Sequence, residues 1–85
     1  MDIEFDSAKD QANYEKHGLR LSEFSGFDDE GVTIVDDRRD YGEVRYRTFG
    51  RIDGTPHMIA FTIREASIRL ISFRRMHEKE MKRYE

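Results

Sequence analysis

The sequence predicts an α+β domain in which an antiparallel sheet packs against helices, in the element order β-α-α-β-β-β-β-α. The second half of the chain holds three runs rich in Val, Ile, Phe, Tyr and Thr, which strands prefer, and short turns separate them. The first half holds two stretches at helical spacing between shorter apolar runs. A chain of 85 residues is too short for two cores, so residues 1–85 are expected to form one domain.

The N-terminal elements are predicted to be a short strand and a helix. Residues 1–5 alternate between polar and apolar side chains, as half-buried strands do. The helix is predicted to begin at Ser7 and to end at Gly18, because glycine readily takes the left-handed conformation that follows helices. Ala12 and Tyr14 are the candidate core contacts of this helix.

The middle of the chain is predicted to hold a second short helix and one strand. The helix is predicted over residues 21–27, where apolar side chains recur at every third position. An acidic turn over residues 28–31 leads into a short strand over 32–35, and a polar loop follows over 36–42.

The C-terminal half is predicted to contain three strands and a charged helix. Asp53-Gly54 is a typical two-residue hairpin turn, and Glu65-Ala66 forms a second tight connection. The C-terminal helix is predicted to carry Met76, Glu80 and Tyr84 on one side. The strands are predicted over residues 43–51, 57–64 and 67–75, and the helix over residues 76–85.

The composition excludes several classes of function. Without cysteine, the chain offers neither disulfides nor thiolate chemistry. Its three histidines lack the paired spacing of a zinc site, so neither a metal nor another cofactor is expected. No window approaches the roughly 18 apolar residues of a membrane span, and the acidic N-terminus is unlike a signal peptide. A cytoplasmic location is therefore predicted.

The net charge of −3 conceals a strong asymmetry along the chain. Residues 1–43 carry 13 acidic and 5 basic side chains, a net charge of −8. Residues 44–85 carry 5 acidic and 10 basic side chains, a net charge of +5. Such asymmetry is typical of proteins with a nucleic-acid or charged protein partner, although an ordinary charged surface would also produce it.

Arginines are concentrated on the three C-terminal strands. Seven lie between residues 43 and 75, where only three acidic residues occur, so local pairing cannot neutralise them. Side chains alternate faces along a strand, and a sheet covered by helices on one side leaves its other face open. Guanidinium groups grip phosphate through two parallel hydrogen bonds, which favours an anion-binding surface. The alternative is solvated arginines paired with carboxylates of neighbouring strands, and which arginines share a face stays open at this point.

Several of these residues fall in a pattern that resembles the BrnT family of toxins, over nearly the whole chain. The match at the C-terminal strands is the most specific, with Arg and Ser spaced along one strand ahead of a Glu and a Tyr. Phe5, Ser7, Leu21 and Phe73 depart from the family's usual Trp, Pro, Phe and small residue. The matching segments are Phe5-Asp6, Lys9, Asn13, Lys16-His17-Gly18, residues 41–45, Gly50, residues 62–64, residues 68–75, Glu80 and Tyr84.

The resemblance implies a RelE-like fold and metal-independent RNA cleavage that arrests translation. Such cleavage requires a group to deprotonate the 2′-hydroxyl, charge to stabilise the phosphorane and a proton for the leaving oxygen. Arginine suits the second task. The choices for proton transfer are Glu43, His17, His57, Glu80 and Tyr84, and none of them stands out as the general base. The candidate catalytic residues are Arg45, Arg64, Arg69, Arg74, Glu43 and Glu80, and the candidate substrate-binding residues are Arg47, Arg75, Tyr84, His17 and Lys16.

The resemblance also implies a partner. This would be a BrnA-like antitoxin, similar to ribbon-helix-helix DNA binders, through which the complex would bind its operator. Two other classes of function stay open from the residues alone. The basic sheet could bind RNA or an acidic protein without chemistry, or the chain could be a scaffold or corepressor for a DNA-binding partner.

Overall fold

The computed structural model describes residues 2–85 and confirms an α+β architecture with two helices and a five-stranded sheet. The predicted start of the first strand at Met1 lies outside the described residues. Within residues 2–85, no helix is long and apolar enough to cross a membrane. The elements are β1 (Asp2–Glu4), α1 (Ser7–His17), a 3-10 turn (Leu21–Glu23), β2 (Val32–Val35), β3 (Tyr46–Ile52), β4 (Thr55–Arg64), β5 (Ser67–Arg75) and α2 (Glu78–Met81).

The sheet is mixed, with the strand order β1-β5-β4-β3-β2. Strands β2 to β5 pair antiparallel as predicted, but β1 pairs parallel to β5, from Asp2 opposite Ser67 to Glu4 opposite Arg69. The prediction of a wholly antiparallel sheet was therefore wrong at one edge. A tight turn forces antiparallel pairing only on strands that it joins, and most of the chain separates β1 from β5.

The two predicted hairpin turns are confirmed. Asp53 and Gly54 have φ angles of 49° and 81°, and Glu65 and Ala66 have φ angles of 49° and 68°. Positive φ at both central residues matches the right-handed twist of the flanking strands. The turns fix the order β3-β4-β5 at the centre of the sheet.

Helix α1 has the predicted bounds but not the predicted contacts. Its N-terminal cap is Asp6, whose carboxylate accepts hydrogen bonds from the backbone N–H groups of the second and third residues that follow, and Gly18 ends it with a φ of 74°. The prediction that Ala12 and Tyr14 enter the core was wrong, because both are exposed and Tyr14 is 46% accessible. The buried residue of α1 is Asn13.

The other predicted helices are shorter than expected. The second is a single 3-10 turn, because Phe24 is extended and Gly26 has a φ of 122°. Phe24 instead packs edge-on against Phe27, with ring centroids 5.1 Å apart. The C-terminal helix spans only Glu78–Met81 of the ten residues predicted.

Each face of the sheet has its own apolar cluster, so the prediction that all helices lie on one face was wrong. The 3-10 turn covers one face, called the apolar face, and α2 covers part of the other. The apolar face carries Ile59, Phe61, Leu70 and Phe73 beneath Leu19 and Leu21. The opposite face carries Phe49, Met58 and Ala60 beneath Met76, Met81 and Tyr84.

A β-bulge interrupts the pairing of β4 with β5. Ala60 pairs with Ser72 and Phe61 pairs with Leu70, so Ile71 is left without a partner in the ladder. Ile71 packs with the cluster that contains Ala60. The alternation of side chains along β5 is therefore shifted by one residue after Ile71.

Candidate functional site

Six arginines lie on one face of the sheet, which we call the arginine face. It is the face opposite the apolar face, and it comprises Arg45, Arg47, Arg51, Arg64, Arg69 and Arg74. Strand β4 defines it, because alternate residues of a strand share a side. The pairs that place three of the arginines are Arg47 with Ala60, Arg69 with Thr62, and Arg74 with Met58.

The centre of the arginine face is a short row across three strands. Arg69 lies opposite Thr62, and Arg45 comes one residue before Tyr46, which pairs with Phe61. Thr62 therefore lies between Arg45 and Arg69. Neighbouring strands are about 4.8 Å apart, so the backbones that carry the two arginines are separated by roughly 10 Å. Their long side chains can reach one phosphodiester between them.

Three polar side-chain atoms of the arginine face are buried without a hydrogen-bond partner anywhere in residues 2–85. They are the Nε atoms of Arg45 and Arg47 and the Oγ1 atom of Thr62. The guanidinium of Arg45 lies 3.8 Å from the ring centroid of Tyr41, and the Nε of Arg47 is 3.9 Å from Asp36. Because buried polar groups are nearly always satisfied in native proteins, these three atoms suit ordered water, whereas a ligand on the surface cannot reach them directly.

Three other arginines of the predicted set, Arg64, Arg69 and Arg74, are paired with carboxylates. Arg69 binds Glu4 at 3.3 Å, and Arg64 binds both carboxylate oxygens of Glu43 at 3.1 Å. These pairs face solvent, and Arg64 is 56% accessible. Exposed ion pairs contribute about 1 kcal/mol or less, so a phosphate can replace the carboxylate at little cost.

Glu80 forms a two-pronged ion pair with Arg74, at 3.0 and 3.3 Å. Hydrogen bonding from Arg74 holds the pKa of the Glu80 carboxyl below its usual value. Glu80 is therefore ionised at neutral pH and a weak proton acceptor. It orients the Arg74 guanidinium from α2, the neighbouring element.

The other end of the arginine face is closed by the C-terminal segment. Arg51 binds Glu78 and Glu85, with nearest N–O distances of 2.8 and 2.9 Å. The ring of Tyr84 stacks on Phe49 with centroids 3.7 Å apart and planes 5° from parallel. One face of the Tyr84 ring is thus packed against the core. Its edge lines a surface groove that Asp29 and Met81 also line.

Helix α1 lies against the edge of β5 beyond the point where β1 ends. The Asn13 side chain donates to the carbonyl oxygens of Leu19 and Phe73, at 2.7 and 2.8 Å, and accepts from the Phe73 N–H at 3.1 Å. The carboxamide of Asn13 thereby takes both ladder positions that a neighbouring strand would fill. It fixes α1 directly beside the residue that precedes Arg74.

A groove of about 310 Å³ lies between α1 and β5. Its helical wall is formed mainly by Lys9, Lys16 and His17, and its sheet wall by Ile71 and Ser72. Burial lowers the pKa of the His17 imidazole, and the nearby charges of Lys16 and Arg74 lower it further. The groove is therefore a cationic cleft beside the arginine face that holds a neutral imidazole at pH 7.

The structure brings most of the predicted site residues together, with two exceptions. Arg45, Arg47, Arg64, Arg69 and Arg74 share one face. Arg75 lies opposite His57 on the other side of the sheet, because it immediately follows Arg74. The His57 imidazole is buried and makes a 2.7 Å hydrogen bond with the Thr55 carbonyl. Neither Arg75 nor His57 faces the site.

Four residues of the site were not assigned to it from the sequence. They are Lys9, Asn13, Thr62 and Ser72. For Lys9 and Asn13 a signal exists, because they fall on one helix face with Lys16 and His17, where a core-facing helix would carry apolar residues. Thr62 alternates with Arg64 and Ser72 alternates with Arg74, which is a sequence signal for a shared face, but only the bulge places Ser72 on the same side as Arg69.

Comparison with known proteins identifies the family. No curated protein sequence matches the chain significantly. The family model described as the ribonuclease toxin BrnT of type II toxin–antitoxin systems matches residues 5–80, which include every arginine of the arginine face. Within residues 2–85, no group of three or more His, Asp or Glu side chains is arranged to hold a metal ion. The chain belongs to the BrnT family of ribonuclease toxins of type II toxin–antitoxin systems.

Proposed function

We propose that this protein is a metal-independent endoribonuclease that cuts RNA on the arginine face and leaves 2′,3′-cyclic phosphate ends. The observation that carries the proposal is the common face of Arg45, Arg64, Arg69 and Arg74, which come from three different strands or their ends. Arginine keeps its charge at any physiological pH and binds two phosphate oxygens at once. The family assignment supplies the substrate class.

The central row suits stabilisation of the phosphorane. Arg69 and Arg45 lie on either side of Thr62, so two guanidinium groups can approach one phosphate from opposite sides. Charge fixed in advance at a transition state accounts for about 10²–10³ of rate per donor group. We assign the catalytic charge to Arg45, Arg69 and Arg74.

The carboxylates of the site have a different role in this proposal. Glu43 and Glu80 hold the guanidinium groups of Arg64 and Arg74 in extended conformations until an RNA phosphate displaces them. Arg47 and Arg64 then bind phosphates on either side of the scissile bond. Lys16 and His17 contact the RNA from α1, and Tyr84 borders its exit at the far end of the face.

The biological setting follows from the family and is part of the proposal. Type II toxins have a protein antitoxin. We propose an antitoxin of the BrnA type with a ribbon-helix-helix fold, through which the complex binds operator DNA. We further propose a RelE-like topology, a single domain over residues 1–85, a cytoplasmic location and arrest of translation through RNA cleavage.

The decisive experiment uses purified protein and single-stranded RNA in the presence of EDTA. Wild type should cut the RNA to products with cyclic phosphate ends, and Arg64→Ala and Arg74→Ala should lose at least tenfold and a hundredfold of the rate, respectively. Arg20→Ala, whose side chain pairs with Asp10 away from the site, is the matched control. Equal cleavage by all four proteins would reveal a contaminating nuclease. RNA that is bound tightly but stays intact would support a non-catalytic binding module, and no effect of the chain on growing cells would support a scaffold or corepressor.

A further inference from the structure

We infer that His17, in the groove between α1 and β5, is the group that removes the proton from the attacking 2′-hydroxyl. This inference rests on the proposed ribonuclease function and assigns the general base that the arginine face lacks. The ligand of the groove would be the ribose of the nucleotide 5′ to the scissile phosphate.

The composition of the groove-facing stripe of α1 supports a functional role. Lys9, Ala12, Asn13, Lys16 and His17 follow the spacing i, i+3, i+4, i+7 and i+8, and all five line the groove. A helix that packs for stability alone carries apolar residues on this stripe. Here the stripe holds two lysines and a histidine, and only Asn13 is buried. Departures of this kind from local rules concentrate at functional sites.

The Asn13 side chain anchors α1 beside the groove. It bonds to the backbone of Phe73 in β5 and of Leu19, two residues after His17. His17 lies one helical turn after Asn13 and ends α1. Arg74 directly follows Phe73, so Asn13 places the end of α1 beside the strand that carries the Arg74 guanidinium. Phosphodiester cleavage requires the base and the charged group to be positioned near the same phosphate.

The charges around His17 favour the form that accepts a proton. Partial burial disfavours the imidazolium, and the charges of Lys16 from its own helix and Arg74 from β5 disfavour it further. Lys9 adds another positive charge to the groove. The Glu80 carboxylate from α2 is bound to Arg74. The imidazole is therefore neutral in the cell, as a general base must be.

The neutral imidazole of His17 takes the proton of the 2′-hydroxyl while the 2′-oxygen bonds to phosphorus, and Arg74 and Arg69 hold the two non-bridging oxygens. The bond from phosphorus to the 5′-oxygen breaks, and a water molecule supplies the proton that this oxygen needs. The products are a 2′,3′-cyclic phosphate and a 5′-hydroxyl, and the imidazolium returns its proton to the resulting hydroxide.

The test measures single-turnover cleavage of a fluorescently labelled single-stranded RNA in EDTA between pH 5 and pH 9. The wild-type rate should rise with pH and level off above a pKa that lies below the usual value for histidine, about 6.5. His17→Gln should lower the plateau rate by about 10²–10⁴ and abolish the rising limb. The dissociation constant for the uncleavable 2′-deoxy RNA should change less than threefold. Free imidazole should restore part of the activity of His17→Ala.

The controls separate this inference from the proposed function. His77→Gln changes an exposed histidine outside the groove and should leave the rate and its pH dependence as in wild type. Cleavage by His17→Gln at the wild-type rate, or a wild-type rate without a rising limb, would overturn the role of His17 and leave the ribonuclease intact. If His17→Gln cleaves slowly but its rate still rises with pH, and imidazole does not restore the activity of His17→Ala, His17 has a role in structure or binding only. Absence of cleavage by wild type would overturn both.

Discussion

Arg69 and Arg74 lie on the same face of β5, although they are five positions apart along the strand. In a regular strand they would point to opposite sides of the sheet. The unpaired Ile71 adds one residue between them and restores a common side. The next residue, Arg75, is consequently turned away from the site and lies opposite His57.

Alanine substitutions of the neighbours Arg74 and Arg75 compare the two sides of the sheet. Arg74→Ala should lower the rate of RNA cleavage by about 10²–10³, because one fixed charge at the phosphorane is lost. Arg75→Ala should stay within twofold of wild type, since its side chain faces the other side of the sheet. Rate measurements on both proteins at one RNA concentration check this. Similar losses in the two variants would contradict the placement of the site on one face.

Glu43 binds the Arg64 guanidinium that the proposed function assigns to an RNA phosphate. Glu43→Gln removes the negative charge that now binds Arg64 at 3.1 Å, so affinity for RNA should rise about two- to fivefold at low salt, in line with the small energy of an exposed pair. The cleavage rate at saturating RNA should not fall. Fluorescence anisotropy with 2′-deoxy RNA measures the affinity. A tenfold loss of rate would instead give Glu43 a part in proton transfer.

Asn13 joins α1 to the sheet. Asn13→Ala should lower the free energy of unfolding by about 2–4 kcal/mol, because buried backbone groups of Phe73 and Leu19 lose their partner. Urea denaturation followed by circular dichroism measures this change. Gln11→Ala, which removes an exposed bond to Glu15 on the same helix, should cost less than about 0.5 kcal/mol. Equal costs would mean that Asn13 does not hold the helix.

Asp36 makes the stability of the protein dependent on pH. Hydrogen bonds from Arg38 hold the pKa of the buried Asp36 carboxyl well below its usual range, and Tyr41 donates a further bond. A pKa that is lowered by folding stabilises the protein above the unfolded value of about 3.9, and this contribution disappears as the pH falls below it. Asp36→Asn should therefore cost about 1–3 kcal/mol at pH 7 and progressively less below about pH 4. A cost that is independent of pH would contradict this assignment.

Substitutions at Gly31 and Gly42 distinguish the cost of steric overlap from the cost of backbone strain. Both have positive φ angles, 66° and 75°, but a Cβ at Gly31 would lie 2.5 Å from the Phe49 carbonyl oxygen, whereas a Cβ at Gly42 would meet no atom within 4 Å. Gly31→Ala should therefore destabilise the protein by about 1–3 kcal/mol more than Gly42→Ala, as judged from thermal or urea unfolding. Equal losses would indicate that the backbone conformation alone is responsible.

The elements whose signals lie in neighbouring residues could be predicted from the amino-acid sequence. The turns at Asp53-Gly54 and Glu65-Ala66, the end of α1 at Gly18 and the strand at residues 32–35 all depend on neighbours in the chain, and they were predicted. The excess of arginine on the C-terminal strands is likewise a property of composition. These features, with the resemblance to the BrnT family, were enough to indicate an anion-binding sheet.

Which side chains contact each other depends on the packing of the whole molecule. The bulge at Ile71 arises from how β5 fits against β4, and no residue type in β5 predicts it. Asn13 reaches Phe73 across 60 positions of the chain, and β1 pairs parallel to β5 because no turn constrains it. Contacts of this range depend on the whole packed molecule rather than on neighbouring residues. For that reason the local pattern predicted which arginines are candidates. The folded structure determines which of them share one face, and it places the groove that contains His17 beside that face.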